Sequence, residues 1–392
     1  MRESWCSSLS RKALTNSLEV SNMTTRCSIL GKSFAAIAVF ATIVGLATRT
    51  QAQTATPPLK LLQTIPLPGI EGALDHMDLD VQGQRLFIPA EQAGLVEVVD
   101  VKNGKRLRTI SSVRWPSTIA YHPQSDEIYV SDREDGTVKV LSGKTYELVK
   151  TIQLAKGPDN ATYDPDTQYF YVAYAGRNAG MAYTLIAIID TTTKEHIGDI
   201  RVDAANIQAM AIEPGSGPKK MYADLADKHQ IAVIDLQKRA VLKTYPTTPE
   251  CQGPFASALD SAYHRLFVGC RMYPSQSQWW MPGKMIVMNT DTGETIAVFD
   301  AVGGSDEMYF DPASQRIYLQ GYEGIADVWK EIDPNHYEMI GKIQGGVHGK
   351  TSLLVPKLQR YYVTVSRHQD IVYGVQGGKI EDGYVEVYEV QP

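Results

Sequence analysis

Basic residues are not in excess in this chain of 392 residues: 38 Lys and Arg stand against 44 Asp and Glu, a formal net charge of −6. No overall cationic field is present to hold a phosphate backbone or an anionic bilayer, so no nucleic-acid partner is expected. Cysteine is scarce, with four residues, which excludes a disulfide-dense miniprotein and leaves core burial as the main source of stability. Several catalytic signatures are missing as well. The chain has no Cys-x-x-Cys-His for covalent haem, no His-Glu-x-x-His, no Gly-x-Ser-x-Gly elbow and no Gly-x-x-x-x-Gly-Lys-Ser/Thr phosphate loop. Attached-haem electron transfer and nucleotide hydrolysis lose support accordingly.

Long apolar runs are nearly absent too. The one present, Ser33 to Ala47, is about 15 residues long, short of the roughly 20 that a spanning helix needs. It is preceded by Arg26 and Lys32 and followed by the small-residue segment Thr50-Gln51-Ala52-Gln53, the order of a secretory signal peptide cut after Ala52. A membrane anchor is the alternative, but Arg49 ends the run. No Leu-x-x-Cys accompanies Cys27, so no lipid anchor is suggested, and Met23 would open a signal of ordinary length. Residues 1–52 are therefore expected to be a signal peptide and 53–392 a single domain, periplasmic or secreted, with no membrane span after cleavage. The mature chain keeps 32 basic and 42 acidic residues, net −10, and two cysteines, Cys251 and Cys270.

What the sequence does contain is a repeat. Apolar-aromatic strand centres recur at Leu86-Phe87-Ile88, Ile128-Tyr129-Val130, Phe170-Tyr171-Val172, Met221-Tyr222-Ala223, Leu266-Phe267-Val268, Ile317-Tyr318-Leu319 and Tyr361-Tyr362-Val363. Their aromatic positions lie 42, 42, 51, 45, 51 and 44 residues apart, a period that suits a blade of four strands. Acidic or Pro-containing turns such as Tyr163-Asp164-Pro165 and Phe310-Asp311-Pro312 precede them, and Val/Ile-rich third strands such as Ile231-Ala232-Val233-Ile234 follow. The last repeat ends at Val385-Glu386-Val387-Tyr388 without a fourth strand, whereas Leu59 to Leu67 reads as a fourth strand without a blade. The expected fold is all-β: a seven-bladed propeller of four-stranded antiparallel blades, closed by pairing the N-terminal strand with the C-terminal blade. An open solenoid would strand the N-terminal segment with an exposed edge.

Strands such as Ile128-Tyr129-Val130-Ser131-Asp132 and Phe170-Tyr171-Val172-Ala173 resemble the bacterial YVTN-repeat (YncE-like) β-propeller family over essentially all of the mature chain. The resemblance implies an exported propeller and leaves the activity open, because one such scaffold hosts hydrolases, oxidoreductases and pure binding modules.

Blade topology brings the starts of the first strands together at one end of the central channel. Equivalent positions there read Asp75, Ser117, Asp159, Gln208, Phe255, Asp306 and Lys350, then His76, Thr118, Asn160, Ala209, Ala256, Glu307 and Thr351, with Trp115, Asn206 and His348 further out. His76, Asn160, Glu307, Asp306 and His348 form an oxygen-and-imidazole set suited to one divalent metal ion. The logic is similar to that of gluconolactonase and regucalcin-type propellers, although their sequence signatures are absent. The alternative is a water-filled channel lined by ordinary polar groups. Long loops after the second strands of three repeats supply Arg177, Arg271, Arg367 and His368, with Arg133 from the second repeat, beside Tyr273, Trp279 and Trp280. Guanidinium groups near aromatic faces suit an anionic ligand with an apolar body, unless they pair with neighbouring carboxylates. Cys251 and Cys270 flank antiparallel strands and read as a disulfide candidate, with thiolate metal ligation as the alternative.

The expectation is a monomeric exported binding module recognising a small anionic molecule or a protein partner on its loop-rich face. No cofactor is required by this reading. The alternative is a metal-dependent hydrolase, lactonase-like, with a divalent cation at the channel mouth.

Overall fold

The computed structural model describes residues 56–271, 282–372 and 375–392. Seven four-stranded antiparallel sheets follow one another along the chain, six built from consecutive strands and the seventh from both ends. Blade 1 comprises Asp78–Asp80, Arg85–Ala90, Leu95–Asp100 and Lys105–Ile110, and blade 2 runs from Pro116–His122 through Glu127–Asp132 and Thr137–Ser142 to Leu148–Gln153. Blades 3, 4, 5 and 6 open with Ala161–Asp164, Ile207–Ile212, Pro254–Asp260 and Ser305–Asp311, and their second strands are Tyr169–Ala175, Lys220–Leu225, Arg265–Cys270 and Arg316–Gly321. Blade 7 orders Thr351–Val355, Arg360–Val365, Gly383–Val390 and then the N-terminal Leu59–Leu67, whose Leu59 pairs with Val390 and Leu67 with Gly383. The ring therefore closes as its repeat demands.

The local signals act through identifiable hydrogen bonds. Asp80, Asp164, Asp260 and Asp311 each end a first strand and accept, through Oδ1, the N–H two residues on at 2.9–3.1 Å. These side chains hold the turn that reverses the chain. Six of the seven first hairpins then enter the second strand through a residue at positive φ: Gln84, Asp126, Gln168, His264, Gln315 and Gln359. A type I turn followed by one left-handed residue matches the twist of the strands it joins. The register slips where the third strand pairs with the fourth in all seven blades, at Val98/Val99, Val140/Leu141, Ile188/Ile189, Val233/Ile234, Val287/Met288 and Val328/Trp329 and, on the fourth strand of blade 7, at Leu61/Gln63. A bulge at one recurring position bends each outer strand and increases its twist.

The repeat aromatics Phe87, Tyr129, Tyr171, Tyr222, Phe267, Tyr318 and Tyr362 are all buried, packed among apolar residues of their own and neighbouring blades. The core is thus a ring of inter-blade layers around a channel. Second bulges displace the first strands of blades 2, 4, 5 and 6 at Pro116/Ile119, Ile207/Met210, Pro254/Ala256 and Ser305/Glu307. All four lie at the same end of the channel, where they re-aim side chains towards its mouth. Cys251 and Cys270 are joined by a disulfide, Cα atoms 5.1 Å apart, so the thiolate-ligand alternative does not hold for them. The chain after Arg367, read from sequence as a loop, contains a small hairpin of His368–Val372 and Val375–Glu381. Among the described residues no helix is long and apolar enough to cross a membrane. The expected signal segment 1–52 lies outside the described residues.

Candidate functional site

Two rings of equivalent positions meet at the mouth. The starts of the first strands and the residues just before them contribute Asp75, Asp159, Phe255, Asp306 and Lys350, and the position four residues after each repeat aromatic contributes Glu91, Arg133, Arg271 and Tyr322. Together with Arg177 and Asn178 they line a pocket of about 130 Å³. Arg177 comes from a short 3-10 turn, Gly176–Ala179, that follows the second strand of blade 3. Gly176 (φ 55°) opens that turn, and a Cβ there would lie 2.6 Å from the Ala205 carbonyl oxygen, so only glycine fits.

Lys350 is the hub. Its Nζ donates to Asp75 Oδ1 at 2.7 Å and to Asp306 Oδ2 at 2.6 Å, although the residue is 8% exposed. Burial opposes the ammonium, but the carboxylates of Asp306 and Asp75 outweigh it and hold the Lys350 pKa well above its ordinary value. Arg271 pairs with Asp306, donates through Nε to the Ser305 carbonyl at 2.8 Å, and lies 3.4 Å from the Phe255 ring centroid. Arg133 pairs with Asp159 and, at 3.1 Å, with Glu91, while Trp115 donates to Glu91 at 3.4 Å. Burial, reinforced by neighbouring Asp75, pushes the Glu91 carboxyl up to about 8. Asp75 moves in the opposite direction, because Lys350 and His76 overcome its own burial. Of the two neighbouring carboxyls, Asp75 is thus the one favoured as the anion and Glu91 the one pushed towards its neutral form.

Below the pocket the channel opens into a cavity of about 410 Å³. His76 and Glu307 form an ion pair between the two spaces, and His76 Nε2 lies 3.6 Å from Asp75. The backbone of His76 is clamped to blade 2, its N–H donating to Ser117 O at 3.1 Å and its carbonyl accepting from Ile119 N–H at 3.0 Å. Burial works against the imidazolium, but Asp75 and Glu307 outweigh it and carry the His76 pKa up to about 10. Alanines at 120, 161, 209 and 256 also line the cavity. Asp78 also lines it. Burial pushes its carboxyl up to about 6, against the N–H donors of Tyr121 and Leu79.

The residues expected to hold a metal are only partly brought together. His76, Glu307 and Asp306 adjoin, but Asp306 is held by Lys350 and Arg271, and Glu307 by His76. Asn160 donates its amide to Ile207 O at 3.2 Å. His348 stands apart, its N–H bonded to Tyr322 O and its ring 5.9 Å from that tyrosine's ring. Among the described residues no group of three or more His, Cys, Asp or Glu is placed to hold a metal ion. The side chains of Lys350, Arg271 and His76 already neutralise the carboxylates that such an ion would need.

Of the expected ligand residues, Arg133, Arg177 and Arg271 converge on the pocket. Arg367 does not, and pairs instead with Glu71 at 2.7 Å and more loosely with Asp382. Tyr273, Trp279 and Trp280 lie outside the described residues, and His368 is described by its backbone alone. The sequence reading overlooked Glu91, Asn178 and the central part played by Lys350. A signal was available, since Lys350 is the one cation in its ring of first-strand positions, and Glu91 shares its repeat position with Arg133 and Arg271.

No protein-family model and no curated protein matches the chain in sequence. Similar folds occur among solved structures. Kuenenia stuttgartiensis hydrazine synthase aligns over 76% of this chain and 95% of its own with a TM-score of 0.61 and 16% identity. A chain of the mitotic checkpoint complex aligns over 91% of this chain and 99% of its own with a TM-score of 0.64 and 12% identity. At these identities the likeness is one of fold.

Proposed function

We propose that this chain is an exported seven-bladed propeller that binds a small anionic ligand at its loop-rich mouth. The carrying observation is Arg177. When Glu91 is protonated, Arg133, Arg271, Lys350 and the His76 imidazolium are matched in number by the carboxylates of Asp75, Asp159, Asp306 and Glu307. Arg177 lines the same pocket, and among the described residues its guanidinium has no carboxylate partner. An exposed guanidinium added to a charge-balanced, pre-formed pocket favours an incoming carboxylate or phosphate. The propeller is also a common scaffold for protein interaction, and a partner could present an acidic side chain to the same group. The metal-dependent hydrolase gains no such observation.

Calorimetric titration with benzoate, succinate and inorganic phosphate tests the reading. At least one should bind, Arg177→Ala should weaken it about tenfold, as expected for one charge-assisted contact, and Arg367→Ala should change nothing. Equal binding by wild type and Arg177→Ala would overturn it. Export is supported by the apolar run Ser33 to Ala47 and the small residues after it. N-terminal sequencing of protein recovered from outside the cytoplasm should begin at Gln53.

A further inference from the structure

The mouth pocket is large enough for the head of a ligand and little more. Its volume of about 130 Å³ falls below the roughly 300 Å³ at which ordinary small-molecule sites begin, whereas the cavity beneath it holds about 410 Å³. His76, Asn160, Gln208 and Asp306 line both spaces, so mouth and cavity are continuous through a neck built by these four side chains. Two of the four are committed to ion pairs, His76 with Glu307 and Asp306 with Lys350 and Arg271. The other two are amides with acceptors to spare.

Asn160 is 8% exposed and Gln208 9%. Asn160 Nδ2 donates to Ile207 O at 3.2 Å, which ties the amide across to blade 4, and Gln208 Nε2 donates to Asn206 Oδ1. Among the described residues nothing donates to Asn160 Oδ1 or Gln208 Oε1, and neither oxygen is sealed off from the channel that both residues line. Thr162 lines the cavity two residues further along the first strand of blade 3, and its hydroxyl also has no hydrogen-bond partner among the described residues. Residues two apart on a strand face the same side, about 7 Å from one another. Other hydroxyls of the cavity are spent, Thr118 Oγ1 on Asp159 O and the Tyr309 hydroxyl on Ser352 O. The free capacity of these three side chains therefore lies on the wall of blades 3 and 4. Arg177 stands at the head of that wall, its backbone N–H donating to Ala205 O at 2.8 Å.

We infer that Gln208, Asn160 and Thr162 form a hydrogen-bonding stripe for the body of the ligand whose carboxylate meets Arg177, and that this ligand is a small polyhydroxylated carboxylic acid. This rests on the mouth reading. Amide oxygens only accept, so the ligand must donate. A cationic donor would face the His76 imidazolium, which lines the same neck, so the donors are neutral. A small acid can carry a hydroxyl on each successive carbon, which suits several acceptors set one below another on a single wall. A hydrocarbon body would instead strip water from these groups and return no hydrogen bond, and buried polar groups left in that state discriminate strongly against such a ligand. Among the described residues that line the mouth, Phe255 alone has a purely hydrocarbon side chain.

The test pairs two hydroxylated acids, quinate and glucuronate, with the same rings stripped of hydroxyls, cyclohexanecarboxylate and tetrahydropyran-2-carboxylate. Each is titrated calorimetrically into wild type, Thr162→Val, Gln208→Leu and Arg177→Ala. In wild type at least one hydroxylated acid should bind about tenfold more tightly than its stripped partner. Thr162→Val, which keeps the shape of the side chain, and Gln208→Leu should each cut that preference about threefold or more with the affinity of the stripped acid retained. Arg177→Ala should weaken all the acids alike. A drop in one variant alone supports the stripe and assigns the hydroxyl to that residue. Stripped acids that bind as well as the hydroxylated ones, or a preference that neither variant reduces, overturn the stripe while the mouth reading stands. If no acid binds, the mouth reading fails and myo-inositol, which has the hydroxyls without the acid, decides the stripe. Binding that either variant loses supports it, and any other result overturns it.

Discussion

His76 and Glu307, 231 residues apart in the chain, meet across the channel as an imidazolium–carboxylate pair. One comes from the start of blade 1 and the other from the first strand of blade 6, so the contact exists only when the ring is closed. It separates the charged mouth from the cavity below, and both side chains are largely buried, at 17% and 16% exposed.

That pair makes stability depend on pH. The folded-state pKa of His76 is raised to about 10, against about 6.5 for an unfolded histidine. Its stabilisation is therefore fully present below about pH 6.5 and is lost as pH rises towards 10. Glu307→Gln should destabilise the protein by roughly 2–4 kcal/mol at pH 6, somewhat less than removing one partner of a fully buried pair, and the difference should shrink by pH 10. Urea unfolding at the two pH values measures it.

Lys350 neutralises two carboxylates at once. Lys350→Met removes the ammonium and leaves Asp75 and Asp306 facing each other, which should cost roughly 3–5 kcal/mol. Adding Asp306→Asn to that variant should recover part of the loss, read from the midpoints of denaturant unfolding.

Asp224 adds a pH dependence of the same sign. Its folded pKa is raised to about 8 by burial, while an unfolded aspartate titrates near 3.9. Folding must therefore take up a proton between those values, and this contribution to stability is largest below about pH 4 and is lost as pH rises to 8. Asp224→Asn has no such dependence, so its stability relative to wild type should rise from pH 5 to pH 8 in thermal unfolding curves.

The Cys251–Cys270 disulfide closes a segment with a sequence separation of 19 and stands directly before Arg271. The double variant Cys251→Ala/Cys270→Ala should lose about 3 kcal/mol, the chain-entropy value for a loop of this size. Calorimetric unfolding with and without reductant should bring wild type towards the variant.

Closure rests on the strand Leu59–Leu67. A chain that begins at Gly69 would expose the edge of Gly383–Val390 and drop the buried Leu59, Ile65 and Leu67 from the core. It should fail to give a soluble monomer on gel filtration, whereas a chain that begins at Gln53 should behave as the full domain.

The sequence by itself determined the ring. The spacing of Phe87, Tyr129, Tyr171, Tyr222, Phe267, Tyr318 and Tyr362 sets seven blades, and the unpaired Leu59–Leu67 at one end matches the missing strand at the other, because strand periodicity and turn chemistry are local properties that survive in a linear reading. It also placed Asp75, Asp306, Arg133 and Arg271 at one end of the channel, since blade topology makes equivalent positions neighbours. Only the tertiary structure decided who pairs with whom. Lys350 reaches across blade boundaries to Asp75 and Asp306, which turns a set of apparent metal ligands into ion pairs. Arg367 turns away to Glu71 and Asp382, and Asp224 is buried with the Ser257 hydroxyl beside it. Such outcomes depend on side-chain reach across blade boundaries and on burial, which fix charge states through desolvation and neighbouring charge, and neither quantity is written in the order of residues.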